Sequence, residues 1–359
     1  MRICYLADAT SIHTKRWCSH FSSLGHEVHL ITFQMLEIEG TEVHFVDIGL
    51  ISRAGGNWKS ILAVPEVKRI LNAIKPDVLH AHYATSYGFC AALTGFHPLV
   101  VTALGTDVLI SPDQSFLYRR IVQWTLKKAD WVTAMADHMR EKILRLGIDS
   151  YKVETVMFGI DPQIFSWNKS TPKGDDFVVT STRNFEPVYD IETLLRAFSM
   201  VSKQIGNLKL NLIGDGTQRQ KLEDLVLELG IAERVVFHGK VDQPRIAKVL
   251  NESHIFVSSS KSDGNNVSLN EAFACGVLSI ATDIPANQQW ITDGQNGFLF
   301  EPGNVQSLVE KFLVAHGSFD SISIQFAKLN SKIIEERAIW SKNMERVEEK
   351  YQSLKSGQK

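Results

Sequence analysis

Short apolar runs alternate with helically spaced segments along the first 160 residues of this chain, and the same alternation begins again at residue 176. "MRICYLAD" (1–8) is an apolar run ending in an acid and a turn, and "TKRWCSHFSSLG" (14–25) has helical spacing that stops at Gly25. "EVHLITF" (27–33), residues 42–47, "PDVLHAHY" (76–83), "PLVVTALG" (98–105) and "DWVTAMA" (130–136) read as further strands. From residue 176, "DFVVTSTR" (176–183), "LKLNLIGDG" (208–216), "RVVFHG" (234–239), "HIFVSSS" (254–260) and "VLSIATD" (277–283) repeat the pattern, spaced by helical stretches at 190–206, 219–230 and around Glu271. Strands separated by helices pair in parallel, and such sheets are covered on both faces. The expected fold is α/β with two doubly wound domains.

The interval 156–176 is rich in Gly, Pro and polar residues and reads as a linker. Domains of 1–160 and 161–337 follow, with 338–359 as an amphipathic helix carrying Trp340, Met344, Val347 and Tyr351 on one side. At ~100–200 residues per domain, 359 residues suit two. The net charge of −2 makes no demand for nucleic acid or an anionic surface. Cys4, Cys18, Cys90 and Cys275 are scattered without a CxxC pair, as expected of a reducing cytosol. With no leader-like start and no ~20-residue apolar run, a cytoplasmic protein is expected, with peripheral contact at the inner membrane surface left open.

The stretch "SDGNNVSLNEAFACGV" (262–277) carries the densest chemistry. A strand end runs into Asp263 and Gly264, and Val267 opens a helix. A helix N-terminus presents unpaired N–H groups and partial positive charge, which suits phosphate oxygens. Gly264 allows close backbone approach. Asp263 can accept from a sugar hydroxyl, and Glu271, deeper in the helix, can chelate two adjacent hydroxyls such as those of a ribose. The bland alternatives are an N-cap for Asp263 and a solvated acid for Glu271. Glu271 sits among small and apolar neighbours, where an unpartnered charge is costly.

The region 263–304, together with "STRNFEPVYDIETLLRAF" (181–198), "LIGDGTQRQKLEDL" (212–225), "VVFHGKV" (235–241), "FGIDPQIF" (158–165) and "DVLHAHY" (77–83), resembles retaining glycosyltransferases of family 4. The resemblance implies a GT-B architecture: two Rossmann-like domains facing each other across a cleft, with the C-terminal helix crossing back to the N-terminal domain. It implies transfer of a sugar from a nucleotide-diphosphate sugar, UDP-sugar ahead of GDP-sugar, to a hydroxyl acceptor in glycan, polysaccharide or glycolipid synthesis, without a metal. Residue by residue, Glu271 would bind the ribose. Asp263 and the backbone of Gly264, Asn265 and Asn266 would face the sugar, and the N–H groups of Val267 and Ser268 would cradle the diphosphate. Arg183 would neutralise the leaving group, and Gly239, Lys240 and Val241 would lie at the base. His82 would stand by the reacting sugar, and Gly105, Thr106 and Asp107 would face the cleft. Ser11, His13 and Arg16, in the first loop, would meet acceptor or phosphate.

Two departures from the family pattern stand out. Its first acid is usually Glu where this chain has Asp263, and its lysine following the arginine is replaced in "FEPVYD" (185–190) by Val188 or Tyr189. For "HAH" (80–82) a metal pair is the weaker reading, because no third ligand accompanies it. A nucleotide-sugar epimerase of the same fold and a non-catalytic sugar-nucleotide-binding protein are the alternatives. A dinucleotide oxidoreductase is disfavoured, since the first strand lacks Gly-x-Gly-x-x-Gly and "GDG" (214–216) lacks the third glycine. "SFLYRRIVQWTLKKADW" (115–131) mixes Arg119, Arg120, Lys127 and Lys128 with Phe116, Leu117, Trp124 and Leu126. A half-buried helix is favoured there over a membrane-contacting one.

Overall fold

Among the described residues every named strand runs parallel to its neighbours, in two separate sheets. The structure, a computed structural model, describes residues 1–47 and 58–357. It divides into one unit of Met1–Val156 with Met344–Lys359 and a second of Met157–Asn343. The last two residues of the expected C-terminal segment lie outside the described residues.

The first sheet holds β1 (Arg2–Leu6), β2 (Glu27–Thr32), β3 (Glu42–Phe45), β4 (Val78–His82), β5 (Leu99–Ala103), β6 (Trp131–Ala134) and β7 (Val153–Thr155). Their order is β3-β2-β1-β4-β5-β6-β7. The central strands β4 and β5 are buried along their whole length, which explains their near-continuous apolar sequence. The C-terminal helix Trp340–Ser356 returns Met344, Val347 and Tyr351 to the interior. Within the first unit, the Tyr351 hydroxyl meets His80 Nδ1.

The second sheet holds β8 (Phe177–Ser181), β9 (Leu208–Ile213), β10 (Val235–Gly239), β11 (Ile255–Ser258), β12 (Leu278–Thr282) and β13 (Phe298–Phe300), in the order β10-β9-β8-β11-β12-β13. Strand alternation splits its core in two. Ile255 and Val257 enter one apolar cluster with Leu194, Phe198 and Leu210, while Phe256 enters the other with Leu269, Phe273 and Trp290.

The interval 156–176 is not a free linker. Phe158, Ile160 and Phe165 are buried, and Ile160 bridges Ile339. A Cβ on Gly159 would meet the Ala338 carbonyl oxygen at 2.3 Å, so the backbones there are in direct contact. Aromatic and β-branched residues spaced through a polar stretch were the packing signal its composition hid. The strands β7 and β13 have only three residues each, too few to show periodicity. In the helix Phe116–Lys128, Val122, Thr125 and Leu126 are buried, as a half-buried helix requires, while Phe116 and Leu117 stand exposed. Among the described residues no helix is long and apolar enough to cross a membrane.

Candidate active site

In each sheet the chain winds outward from one strand and then returns to that strand's other side: β1 and β4 in the first unit, β8 and β11 in the second. Loops leaving the carboxyl ends of such a strand pair diverge and leave a crevice that binds ligands. Most of the residues singled out above follow these strands or their immediate neighbours, while Gly239, Lys240 and Val241 lie at the end of the edge strand β10.

In the second unit Arg183 follows β8 by two residues and is 7 % exposed. Its Nη2 donates to Asp263 Oδ2 at 2.5 Å, and its Nη1 donates to Asn266 Oδ1 at 3.0 Å and Ser268 Oγ at 3.4 Å. Its Cζ lies 4.3 Å from the centre of the Tyr189 ring. Its Nε is buried with no partner among the described residues. A buried donor left in that state costs about 1–3 kcal/mol, so the side chain is fixed on three sides and unsatisfied on one.

The helix Val267–Ala274 is capped by Asn266, whose side chain accepts from Leu269 N at 3.2 Å. The cap reading of Asp263 is therefore replaced: its carboxylate holds Arg183 instead. Asn266 Nδ2 also donates to Ser258 Oγ at 2.9 Å and Asn287 Oδ1 at 2.8 Å. Asn287 in turn donates to the Thr282 carbonyl at 2.8 Å. Asn265 is turned inward as well, accepting from Trp290 Nε1 at 3.1 Å. This leaves Asp263, Gly264, Val267 and Ser268 partly exposed between residues 263 and 268. The Val267 N–H donates back to the Asn265 carbonyl at 2.9 Å rather than pointing outward. Glu271 is 8 % exposed, so it is not a solvated acid. Burial first, and the Glu271 carboxylate second, push the Cys275 thiol up to about 12.

Of Val188 and Tyr189, the two residues at the expected lysine position, Tyr189 turns its ring to Arg183 and Val188 is exposed. A cation does reach the same loop from elsewhere. Lys261, just past β11, donates from its N–H to the Val188 carbonyl at 2.8 Å and places Nζ 3.2 Å from Asp190 Oδ2. "GDG" has a packing role. A Cβ on Gly214 would lie 2.4 Å from the Arg183 carbonyl oxygen, and one on Gly216 2.6 Å from that of Phe185. Gly239 ends β10 at φ 68° with its carbonyl accepting from Gly214 N, while Lys240 is exposed and Val241 partly so.

In the first unit His82 ends β4 and is 1 % exposed. Its ring packs against Tyr5 and Trp17, its Nδ1 lies 3.4 Å from Thr14 Oγ1, and its Nε2 is buried with no partner among the described residues. Burial, reinforced by His13, pushes its pKa down to about 3, so the ring is neutral at pH 7. His80 differs. One nitrogen meets Tyr351, and the other is 2.6 Å from Thr102 Oγ1, which continues to Thr133. The two histidines share a face by strand alternation, but His80 has both nitrogens committed and is no metal ligand. Ser11 precedes the helix Ile12–Ser23, with His13 and Arg16 partly exposed on its first turns. Asp107 is 1 % exposed and accepts from the backbone N–H groups of Ala84, Leu104 and Gly105 at 2.8–3.1 Å, which ties the two loops beyond β4 and β5. Its carboxylate is structural. Gly105 at φ 142° and Thr106 open the short turn that carries it.

The contacts that sequence reasoning missed are Thr14 on His82, Tyr189 on Arg183, and Asn287 and Trp290 behind the loop 263–266. Each joins segments distant along the chain, where no local pattern shows the pairing.

Residues 2–136 match the family model described as glycosyl transferase 4-like, and residues 163–315 match glycosyl transferases group 1. The N-acetyl-alpha-D-glucosaminyl L-malate synthase of Bacillus anthracis is 25% identical over 304 residues, covering 80% of this chain and 79% of that one. Among solved structures, the sucrose-phosphate synthase of Thermosynechococcus elongatus superposes with a TM-score of 0.84 at 17% identity, covering 99% of this chain and 100% of that one. Anabaena HepE in complex with UDP gives 0.79 at 18% identity, again over 99% and 100% of the two chains. With both parallel α/β units accounted for in this way, the chain is a glycosyltransferase of the GT-B fold, belonging to the family that joins a glycosyl transferase 4-like unit to a group 1 unit.

Proposed function

We propose that this enzyme moves a sugar, with retention of anomeric configuration, from a UDP-sugar to a hydroxyl acceptor. The observation that carries the reading is the buried Arg183, clamped by Asp263, Asn266 and Tyr189 with its Nε unsatisfied, beside the N-terminus of a helix. Diphosphate oxygens would satisfy that donor. The second unit binds the donor: Glu271 takes the ribose, Asp263 and Gly264 face the sugar, Ser268 and Arg183 take the diphosphate, and Gly239 to Val241 the base. The first unit supplies the acceptor side through Ser11, His13, Arg16, Gly105 and Thr106. HepE, solved with UDP and with UDP-glucose, supports the choice of nucleotide. The N-acetyl-alpha-D-glucosaminyl L-malate synthase is named for an alpha-linked product, as retention from an alpha-configured donor would give.

The bond from the anomeric carbon to the diphosphate oxygen breaks as the acceptor oxygen attacks the same face. The acceptor proton passes to the departing phosphate oxygen. Negative charge grows on that oxygen, where Arg183 and the helix N-terminus act; a preorganised donor of this kind typically contributes ~3–4 kcal/mol. His82, neutral at pH 7, orients the sugar through Nε2 and takes no proton. A thermal-shift screen of UDP, GDP and their sugars, followed by proton NMR of the product's anomeric signal, tests this. UDP compounds should raise the melting temperature and the product should keep the donor's configuration. An inverted product, or no response to any UDP compound, overturns the reading.

A further inference from the structure

The outer edge of the first sheet carries a cluster that glycosyl transfer does not use. Strand β3 is the edge strand and pairs with β2 in the register His29↔Glu42 and Ile31↔His44. Side chains two apart share a face of a strand, so Glu27 and His29 of β2 stand on the same face as Glu42 and His44 of β3. His29 Nδ1 lies 3.1 Å from His44 Nε2 and 3.4 Å from Glu42 Oε2, and His44 Nε2 lies 3.6 Å from Glu42 Oε1. Two imidazole nitrogens and a carboxylate thus converge on one point.

The other nitrogen of His29 sets its tautomer. Nε2 is 3.1 Å from Glu27 Oε1, which also accepts from Arg2 Nε at 2.8 Å. A carboxylate that accepts from Arg2 receives the Nε2 proton of His29, leaving the Nδ1 lone pair aimed at the convergence point. A carboxylate behind a histidine in this way is the usual outer-shell arrangement of a metal-binding imidazole. The spacing also fits. Tetrahedral ligands at about 2.0–2.1 Å from zinc stand about 3.3–3.4 Å apart, against 3.1, 3.4 and 3.6 Å here. His29 is buried and Glu42 exposed, so one side is fixed and the other open to solvent for entry and for a water as fourth ligand.

We propose that His29 Nδ1, His44 Nε2 and Glu42 bind one Zn²⁺-type divalent ion that clasps the edge strand β3 to β2. Glu42 opens β3, at the opposite end from the carboxyl termini where ligands of such sheets bind. The ion is structural: it pins the four-residue edge strand β3 to β2.

The test uses the full chain without an affinity tag, stripped by a chelator and titrated with Zn²⁺ alone. One ion per chain should bind, the melting temperature should rise, and Co²⁺ in its place should give the visible bands of a four-coordinate ion. Loss of an outer-shell partner typically weakens a site about 10–100-fold, so Glu27→Gln should fall in that range and His44→Gln and Glu42→Gln should lose at least as much. All three variants should keep the transferase rate and their near-ultraviolet circular dichroism. The proposal is overturned if the stripped chain binds no stoichiometric zinc, or if His44→Gln and Glu42→Gln bind it as tightly as the parent.

Discussion

The guanidinium carbon of Arg183 stands 4.3 Å from the centre of the Tyr189 ring, on a loop where related enzymes are expected to carry a lysine. A ring face supplies no charge to a diphosphate, but it fixes the cation that does. Such an interaction contributes about 0.5–2 kcal/mol. Tyr189→Leu should therefore weaken donor binding about 2- to 30-fold, while Tyr189→Phe, which keeps the ring, should bind like the parent. Calorimetric titration with UDP separates them; equal loss in both variants would assign the role to the hydroxyl instead.

Asp263 is the counter-ion of a buried charge, so its removal acts on folding as well as on turnover. With Arg183 7 % exposed, Asp263→Ala leaves that cation uncompensated, a change that costs about 3–5 kcal/mol when a buried pair is broken. Arg183→Ala removes the charge itself and should cost less stability but about 10²–10³ in kcat. Asp263→Glu keeps the charge and should retain most activity. Chemical denaturation and steady-state rates measured on the three variants give the two orderings. Equal stability of Asp263→Ala and the parent would mean that the ion pair is not structurally important.

Glu271 is buried in the helix Val267–Ala274, and on the proposed reading its carboxylate accepts from the ribose hydroxyls of the donor. Glu271→Gln should raise the donor KM and lower kcat/KM by about 10²-fold, on the scale of one or two charged hydrogen bonds. A sugar nucleotide with a 2′-deoxyribose should show a smaller penalty with the variant than with the parent. A variant that turned over at the parent's rate would sink the ribose assignment.

The buried His82 gives stability a sign in pH. In the unfolded chain its pKa is the ordinary 6.5, and in the folded chain it is pushed down to about 3. The unfolded state therefore binds a proton first as pH falls. The stability linked to a neutral His82 is complete above pH 6.5 and is lost at ~1.4 kcal/mol per unit as pH drops toward 3, or about 2 kcal/mol at pH 5. His80, also buried and pushed well down, acts in the same direction. Urea denaturation at pH 7.5 and pH 5 should show His82→Gln losing less stability than the parent over that interval. Parallel losses would mean that His82 titrates alike in both states.

What could be read without coordinates followed from locality. The two sheets were legible because β-α alternation repeats within 30 residues, and the loop 262–271 because its acid, glycine and helix start are contiguous. The shielding of Asp107 and the commitment of both His80 nitrogens were not, since their partners lie on other strands or on the C-terminal helix. The His29–Glu42–His44 convergence depends on a one-residue choice of register between two strands, which alternation alone leaves open. The unit boundary at 156/157 falls in the polar interval 156–176, but composition, which reports average polarity, does not show the burial of Phe158, Ile160 and Phe165 within it.

Asn287 offers the last test: it is fully buried and acts through Asn266, a residue of the loop expected to meet substrate. Its Oδ1 accepts from Asn266, whose own Oδ1 accepts from Arg183 and caps the helix Val267–Ala274. Its Nδ2 donates to the Thr282 carbonyl and lies 3.1 Å from the Thr282 hydroxyl. Asn287→Ala leaves the Asn266 amide with Ser258 alone and frees that side chain to turn, at an unfolding cost of about 1–3 kcal/mol for the buried polar groups left unpaired. A shift of Asn266 would release Nη1 of Arg183, so kcat should fall by a larger factor than KM rises. Asn287→Asp keeps the acceptor for Asn266 but loses the donor to Thr282, and should recover the rate more than the stability. If both variants lost stability and kept kcat, Asn287 would be a packing residue and the positioning of Arg183 would rest on Asp263 and Tyr189.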